Sequence, residues 1–199
     1  MSPENTAPNY LDLSLGEFLE RVASEGPAPG GGSVTAVTVA LAAGLAGMAA
    51  RLSTGQMDDA VELADRADAS RHRVAPLART DAESYGRVLD ALRYQGAPET
   101  REERLGDALS GAADVPLAVA EVGSEVAGIA ARLVEEGNPN LEGEAMTAVL
   151  LADAGVRAAA ALAEINLSAA DVKDERLERA SRLVDWSAAT VRRATGGDG

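Results

Sequence analysis

The sequence predicts an all-α protein, an antiparallel up-and-down bundle of long, kinked helices. Three observations predict it. Apolar residues recur at helical spacing along most of the 199 residues. No run alternates apolar and polar residues as a half-buried strand does. Prolines and glycines fall where helices would kink or turn. The length suits one well-buried core, with residues 1–13 as a flexible lead-in and 14–195 as a single helical domain.

Composition narrows the chemistry. There is no cysteine and a single histidine, His72, so disulfides, Cys-based metal sites and a Ser-His-Asp triad are not expected. His72 stands between Arg71 and Arg73 and reads as a surface residue. Aromatic residues make up 3% and the net charge is −14, a poor match to nucleic acid. The first twelve residues hold Glu4 and Asp12 and no basic segment, which predicts no signal peptide and a cytoplasmic protein. Residues 26–50 carry no charge, but Ala, Gly and Thr dominate them, so a buried core helix fits better than a membrane span.

In chain order, Ser14-Leu15-Gly16-Glu17 fits a capping box opening a short amphipathic helix over about 15–25. Pro27-Ala28-Pro29-Gly30-Gly31-Gly32-Ser33-Val34 follows. Three glycines let the backbone approach a ligand or another chain segment closely. Ser33 suits the N-cap of a helix from about 34 to 53. The corner fits an anion site at a helix start, or simply a tight turn. The helix is apolar on nearly every side, with Val37, Leu41, Leu45, Met48 and Leu52 down one face, so it must be covered all round.

Residues 58–93 read as helical, with a kink or break near Ala75 caused by Pro76. After the Gln95-Gly96-Ala97-Pro98 turn, Thr100 is expected to cap a helix running to about Glu136 and interrupted by Pro116. Gly137-Asn138-Pro139-Asn140 is a turn. A helix over about 141–166 follows, with Asn140 as N-cap, and a last one over about 171–194. The lone Trp186 reads as packing.

Asp81 and Tyr85, four residues apart, share a helix face. A carboxylate buried beside an apolar wall gains a raised pKa useful for acid–base work; the same pair also fits a solvent-facing Asp beside a half-buried Tyr. Asn138, Asn140, Glu142 and Glu144 gather at a helix start, where acids suit the dipole. Asn166, near the end of an apolar helix, would either end it by a left-handed turn or reach into a polar site.

Together these segments resemble the formiminotransferase-cyclodeaminase/methenyltetrahydrofolate cyclohydrolase family. The match runs through the glycine loop, Asp81-Ala82-Glu83-Ser84-Tyr85 with Val88, Ala113-Asp114-Val115-Pro116-Leu117, and Gly137-Asn138-Pro139-Asn140 leading to Ile165-Asn166-Leu167. It covers about residues 14–170, in order. The resemblance implies a cyclodeaminase-like, homodimeric enzyme without metal or cofactor. Its substrate would be a tetrahydrofolate, altered at its one-carbon bridge by hydrolysis of the 5,10-methenyl form or loss of ammonia from the 5-formimino form. It assigns catalysis to Asp81 and Glu144, and substrate binding to Gly30, Gly31, Gly32, Ser33, Tyr85, Asn138, Asn140 and Asn166. The sequence departs from the family's usual pattern at Gly143-Glu144 (Ser-Asp), at Leu162 (Asn), and at Gln56-Met57-Asp58-Asp59 (lysines). The last would repel a ligand's carboxylates. A non-folate substrate and a non-catalytic dimeric scaffold are the alternatives; convergence of Asp81 and Glu144 on one cleft would favour an enzyme.

Overall fold

The structure, a computed structural model, describes residues 8–170 and 174–196. Among them every regular element is helical: α1 Leu15–Val22, α2 Gly31–Arg51, α3 Ala60–Val74, α4 Leu77–Leu92, α5 Pro98–Ala112, α6 Asp114–Glu136, α7 Glu142–Ala169 and α8 Glu175–Ala194. Single 3-10 turns at Tyr10–Asp12 and Pro139–Leu141 precede α1 and α7.

Local chemistry accounts for the boundaries, and corrects several expected ones. Ser14 and Glu17 form the capping box that opens α1. Pro76 divides α3 from α4 as expected. The helix expected from Thr100 is instead two. Pro98 occupies the first turn of α5, where its missing N–H costs nothing, and Ala97 is the N-cap. Pro116 cannot bond the carbonyl of Ala112, so the break falls at Ala113, three residues before the proline. Asn140 does not cap α7, whose N-cap is Leu141. The side chain of Asn138 caps the preceding 3-10 turn, accepting from the Asn140 N–H at 3.0 Å. Asp174 caps α8, and the expected start at 171 lies outside the described residues. Within the expected lead-in, Tyr10 is buried and meets Phe18 edge to face, with ring centroids 5.9 Å apart.

Three helices, α2, α6 and α7, form the centre. The half of α2 nearest its N-terminus packs with α4, α6 and α7, and its other half with α3, α6 and α7. Small residues let these helices approach closely: a Cβ on Gly155 of α7 would collide with Val39 of α2. Helix α8 lies over α6 and α7, joined to them by Ser187, which donates to buried Asp153 at 2.9 Å, and by Trp186 against Gly128. Helices α2 and α7 run antiparallel. Gly31 lies beside Leu162, whereas Ser53 beyond the other end of α2 meets Asn138, just before α7 begins.

Both α2 and α7 are long and apolar enough to cross a membrane, yet about half of each apolar window is buried within the bundle. The covering is incomplete on one side. Leu41 and Met48 of α2 and Leu52 at its C-cap stay exposed, as do Leu150 and Ile165 of α7. The expectation that α2 is covered all round is therefore not met by the chain alone.

Candidate active site

The glycine loop enters α2 one turn earlier than expected. Gly30 is the N-cap and offers no side chain, and Gly31 and Gly32 form the first turn. Ser33 is therefore the third residue of the helix rather than its cap, and it is fully buried. The group that covers this helix end comes from α4. Asp81 sits so close to Gly32 that any Cβ there would overlap its carboxylate. The Ser33 hydroxyl lies 2.8 Å from the Ala78 carbonyl oxygen and 3.0 Å from Oδ2 of Asp81. It has one hydrogen, so it donates to one of them at a time. While it donates to Ala78, Asp81 as a carboxylic acid can donate back to Ser33 Oγ; when Asp81 is ionised, the hydroxyl can turn to it.

Burial pushes the Asp81 pKa up from its ordinary value, and hydrogen bonds from the Ser33 side chain and backbone partly offset that rise. Such a group holds its proton at higher pH than a surface carboxylate and gives it up to a modest demand, which suits general acid–base chemistry.

Asp81 lines a cleft of about 370 Å³. Pro27, Ala28 and the three glycines form one wall, and Tyr85 and Val88 continue the α4 wall beyond Asp81. Leu109 and Ala112 of α5 and Pro116 of α6 close the back, and Leu162, Ile165 and Asn166 of α7 face the loop. Asn166 does not end its helix. Its Nδ2 donates to the Ala112 carbonyl at 3.2 Å, holding the amide at the cleft edge. Leu162, where the resemblance expects Asn, makes this wall apolar. Tyr85 is 45% exposed, so its ring is available to a ligand.

The predicted set divides in two. Gly30, Gly31, Gly32, Asp81, Tyr85 and Asn166 line the cleft, and buried Ser33 supports it from behind. Asn138, Asn140 and Glu144 do not reach it. Asn138 accepts from nothing in the cleft; its N–H meets Ser53 Oγ at 2.9 Å and its Nδ2 donates to the Leu52 carbonyl. Glu144 stands in the first turn of α7, about 33 Å along that helix from Asn166 at 1.5 Å per residue. Asp81 and Glu144 of one chain therefore do not converge. The acidic stretch at 58–59 lies at the same remote end, where Asp59 accepts from Arg132 at 2.6 Å and is held below its usual pKa by that bond. Over about 30 Å of helix, several screening lengths, it exerts no repulsion on the cleft of its own chain. His72 is exposed, as expected. Trp186 lies against Gly128 and is 44% exposed.

The contribution of Leu109 and Ala112 was not anticipated. Its one sequence signal was Pro116, whose break swings α5 away from the line of α6 and across the cleft.

A family model described as formiminotransferase-cyclodeaminase matches residues 14–183. The chain belongs to that family. Among family members, methenyltetrahydrofolate cyclohydrolase of Methylorubrum extorquens is 31% identical over 183 residues, 84% of this chain and 86% of that protein. Formimidoyltransferase-cyclodeaminase of Rattus norvegicus is 30% identical over 189 residues, 87% of this chain but 34% of the rat protein. The chain thus spans about a third of that longer relative. The crystal structure of formiminotetrahydrofolate cyclodeaminase from Thermotoga maritima superposes with a TM-score of 0.80 at 28% identity, covering 94% of this chain and 98% of that one. The family's all-helical architecture is the one described above.

Proposed function

We propose that the protein is an enzyme acting at the one-carbon bridge of tetrahydrofolate, with Asp81 as its acid–base group. The observation that carries this reading is the placement of Asp81, its pKa raised by burial, at the uncapped glycine start of α2 inside a ligand-sized cleft. Names of relatives similar over most of this chain supply the substrate class.

Hydrolysis and deamination pass through one kind of species, a tetrahedral carbon joined to N5, N10 and a third heteroatom. In hydrolysis, water adds its oxygen to the methenyl carbon and gives one proton to the Asp81 carboxylate. The C–N5 bond then breaks, Asp81 returns that proton to N5, and the second water proton leaves to solvent as the formyl C=O forms. In deamination, N10 attacks the protonated formimino carbon. Asp81 carries the N10 proton to the amino group, which leaves as ammonia, and the positive charge stays on the methenyl bridge. One positioned acid–base group serves either path. Asn166 orients the ligand from the opposite wall and Tyr85 packs against it. We propose that the reaction uses no bound metal or cofactor.

We further propose a soluble cytoplasmic homodimer, built on the charge-free strip that α2 and α7 leave exposed. Along α7 the strip reads Gly143, Thr147, Leu150, Ala154, Ala158, Ala161 and Ile165, all exposed. Pairing it antiparallel with itself about Ala154 sets Ile165 against Gly143 and Leu150 against Ala158, large against small. That self-complementarity is what a two-fold interface requires. The same operation carries the Asn138–Glu144 end of a second copy toward the cleft of the first. Glu144 then acts in trans, and the two halves of the predicted site meet across the dimer.

The reading is tested by calorimetric titration with 5-formyltetrahydrofolate, followed by spectrophotometric assays of methenyl hydrolysis and formimino deamination. Micromolar binding and turnover of either substrate, both lost in Asp81→Ala, are expected. A folded dimer that binds no folate overturns it.

A further inference from the structure

The break between α5 and α6 carries Leu109 and Ala112 into the cleft, and it weakens the backbone bonding there. Pro116 has no N–H, so the Ala112 carbonyl lacks its helical donor and takes Asn166 Nδ2 instead. The Ser110 carbonyl receives a long backbone bond, 3.3 Å from the Ala113 N–H.

A side chain from the last helix grips the same place. Arg176, in the first turn of α8, donates Nη1 to the Ser110 carbonyl at 2.8 Å and to Asp114 Oδ1 at 2.5 Å. Its Nη2 donates to Ser110 Oγ at 2.7 Å and, together with Nε, to Asp174 Oδ2. These bonds use all five N–H groups of the guanidinium. The Arg176 side chain is 21% exposed and that of Asp174, the α8 N-cap, 16%. A planar fork bonded in this way fixes direction as well as distance. Ser110 is held through both its main chain and its side chain, beside Leu109 and two residues before Ala112. One turn further along α8, Ala180 packs with Leu117 of α6 and Ala160 of α7, so the helix that carries the arginine is itself seated.

We infer that Arg176 is a positioning residue for the active site. It fixes the α5–α6 break, and with it the Leu109–Ala112 wall and the Ala112 carbonyl that orients Asn166. The inference rests on the folate reading above. Arg176 lines no part of the cleft, so it acts only through the wall it holds. Asp81 stands on α4 against the start of α2, and neither helix bonds to Arg176. Loss of the fork therefore weakens ligand binding and leaves the acid–base group in place.

The test compares the wild type with Arg176→Lys, Arg176→Gln and Arg179→Gln. Each is titrated calorimetrically with 5-formyltetrahydrofolate and assayed on whichever folate substrate the wild type turns over. Lysine keeps the charge but offers its donors from one point, so it cannot span Ser110, Asp114 and Asp174 together. Both Arg176 variants are expected to raise Kd and KM about tenfold, with kcat changed by less than about twofold. Arg179→Gln breaks one exposed ion pair of the same helix, to Glu121, and is expected to keep wild-type values. In the ligand-free chain, amides of residues 105–113 are expected to exchange hydrogen faster in Arg176→Lys than in the wild type. Arg176→Lys decides the matter if Arg176→Gln does not fold. Three results overturn the positioning role and leave the folate reading standing: unchanged KM in Arg176→Lys, an equal rise in Arg179→Gln, or a fall in kcat at constant KM, as loss of folded enzyme gives. Unchanged exchange at 105–113 overturns it too. A wild type that binds no folate overturns both readings, and shows itself before any variant is made.

Discussion

Gly32 and Asp81 share one space: the Asp81 carboxylate lies where a side chain at position 32 would have to stand. The glycine at this point of the loop is therefore fixed by a carboxylate from another helix, 49 positions along the chain. Gly32→Ala is expected to push Asp81 out of register with the cleft. Turnover should fall about a hundredfold, the order of effect of an ångström-scale misplacement, while overpacking costs about 1–3 kcal/mol of stability. Steady-state kinetics beside thermal unfolding checks both, and unchanged turnover would remove Asp81 from the chemistry.

The Ser33 hydroxyl is the side-chain donor that offsets the burial of Asp81. Ser33→Ala is expected to raise the Asp81 pKa further, shifting the Asp81-dependent limb of the pH–rate profile upward. The effect on KM should be small, because Ser33 is buried behind the cleft wall.

The same burial sets a sign for stability. A carboxyl whose folded pKa lies above its unfolded value stabilises the fold below the unfolded value, near 3.8. That contribution is lost as pH rises through the folded value. Asp81→Asn has no such titration. Its stability relative to the wild type should therefore rise with pH from about 4 and level off above the folded pKa. Chemical denaturation at a series of pH values measures this, and a constant difference across the range would mean that Asp81 is not desolvated.

Action of Glu144 across a dimer makes a stoichiometric prediction. Asp81→Ala and Glu144→Ala, each inactive alone, should regain activity when unfolded together and refolded as a mixture. Half the dimers would be mixed, each with one intact site of two, giving roughly a quarter of wild-type activity. If Glu144 served its own chain's cleft, mixing would restore nothing.

The exposed strip is tested on its own by Leu41→Glu/Met48→Glu. These side chains are already solvent-exposed in the single chain, so the variant should fold with unchanged helicity but sediment as a monomer. A monomeric wild type would refute the dimer.

How legible was this in the sequence? Element types were, because apolar spacing and Pro76, Pro98 and Pro116 act locally. Ser33 was misread because serine before an apolar run is a common N-cap; its partner is Asp81, far along the chain, where no local pattern could reveal it. Asp81, Tyr85 and Asn166 were identified as site residues, yet their meeting depends on how α4 and α7 pack around the start of α2. Glu144 stands at the opposite end of α7 from its own chain's cleft. Distance along a helix was readable from residue number alone, and would have separated Glu144 from Asn166 before any coordinates.

Because α2 begins without a side chain of its own at its first turn, the carboxylate beside that turn arrives only after α4 docks. Closing so long a loop is a late and entropically costly event compared with forming the helices themselves. The order of assembly follows: on refolding, helical signal should recover before ligand binding does. A nascent chain could thus be largely helical and still inert, with competence arriving in one step as Asp81 docks against the start of α2.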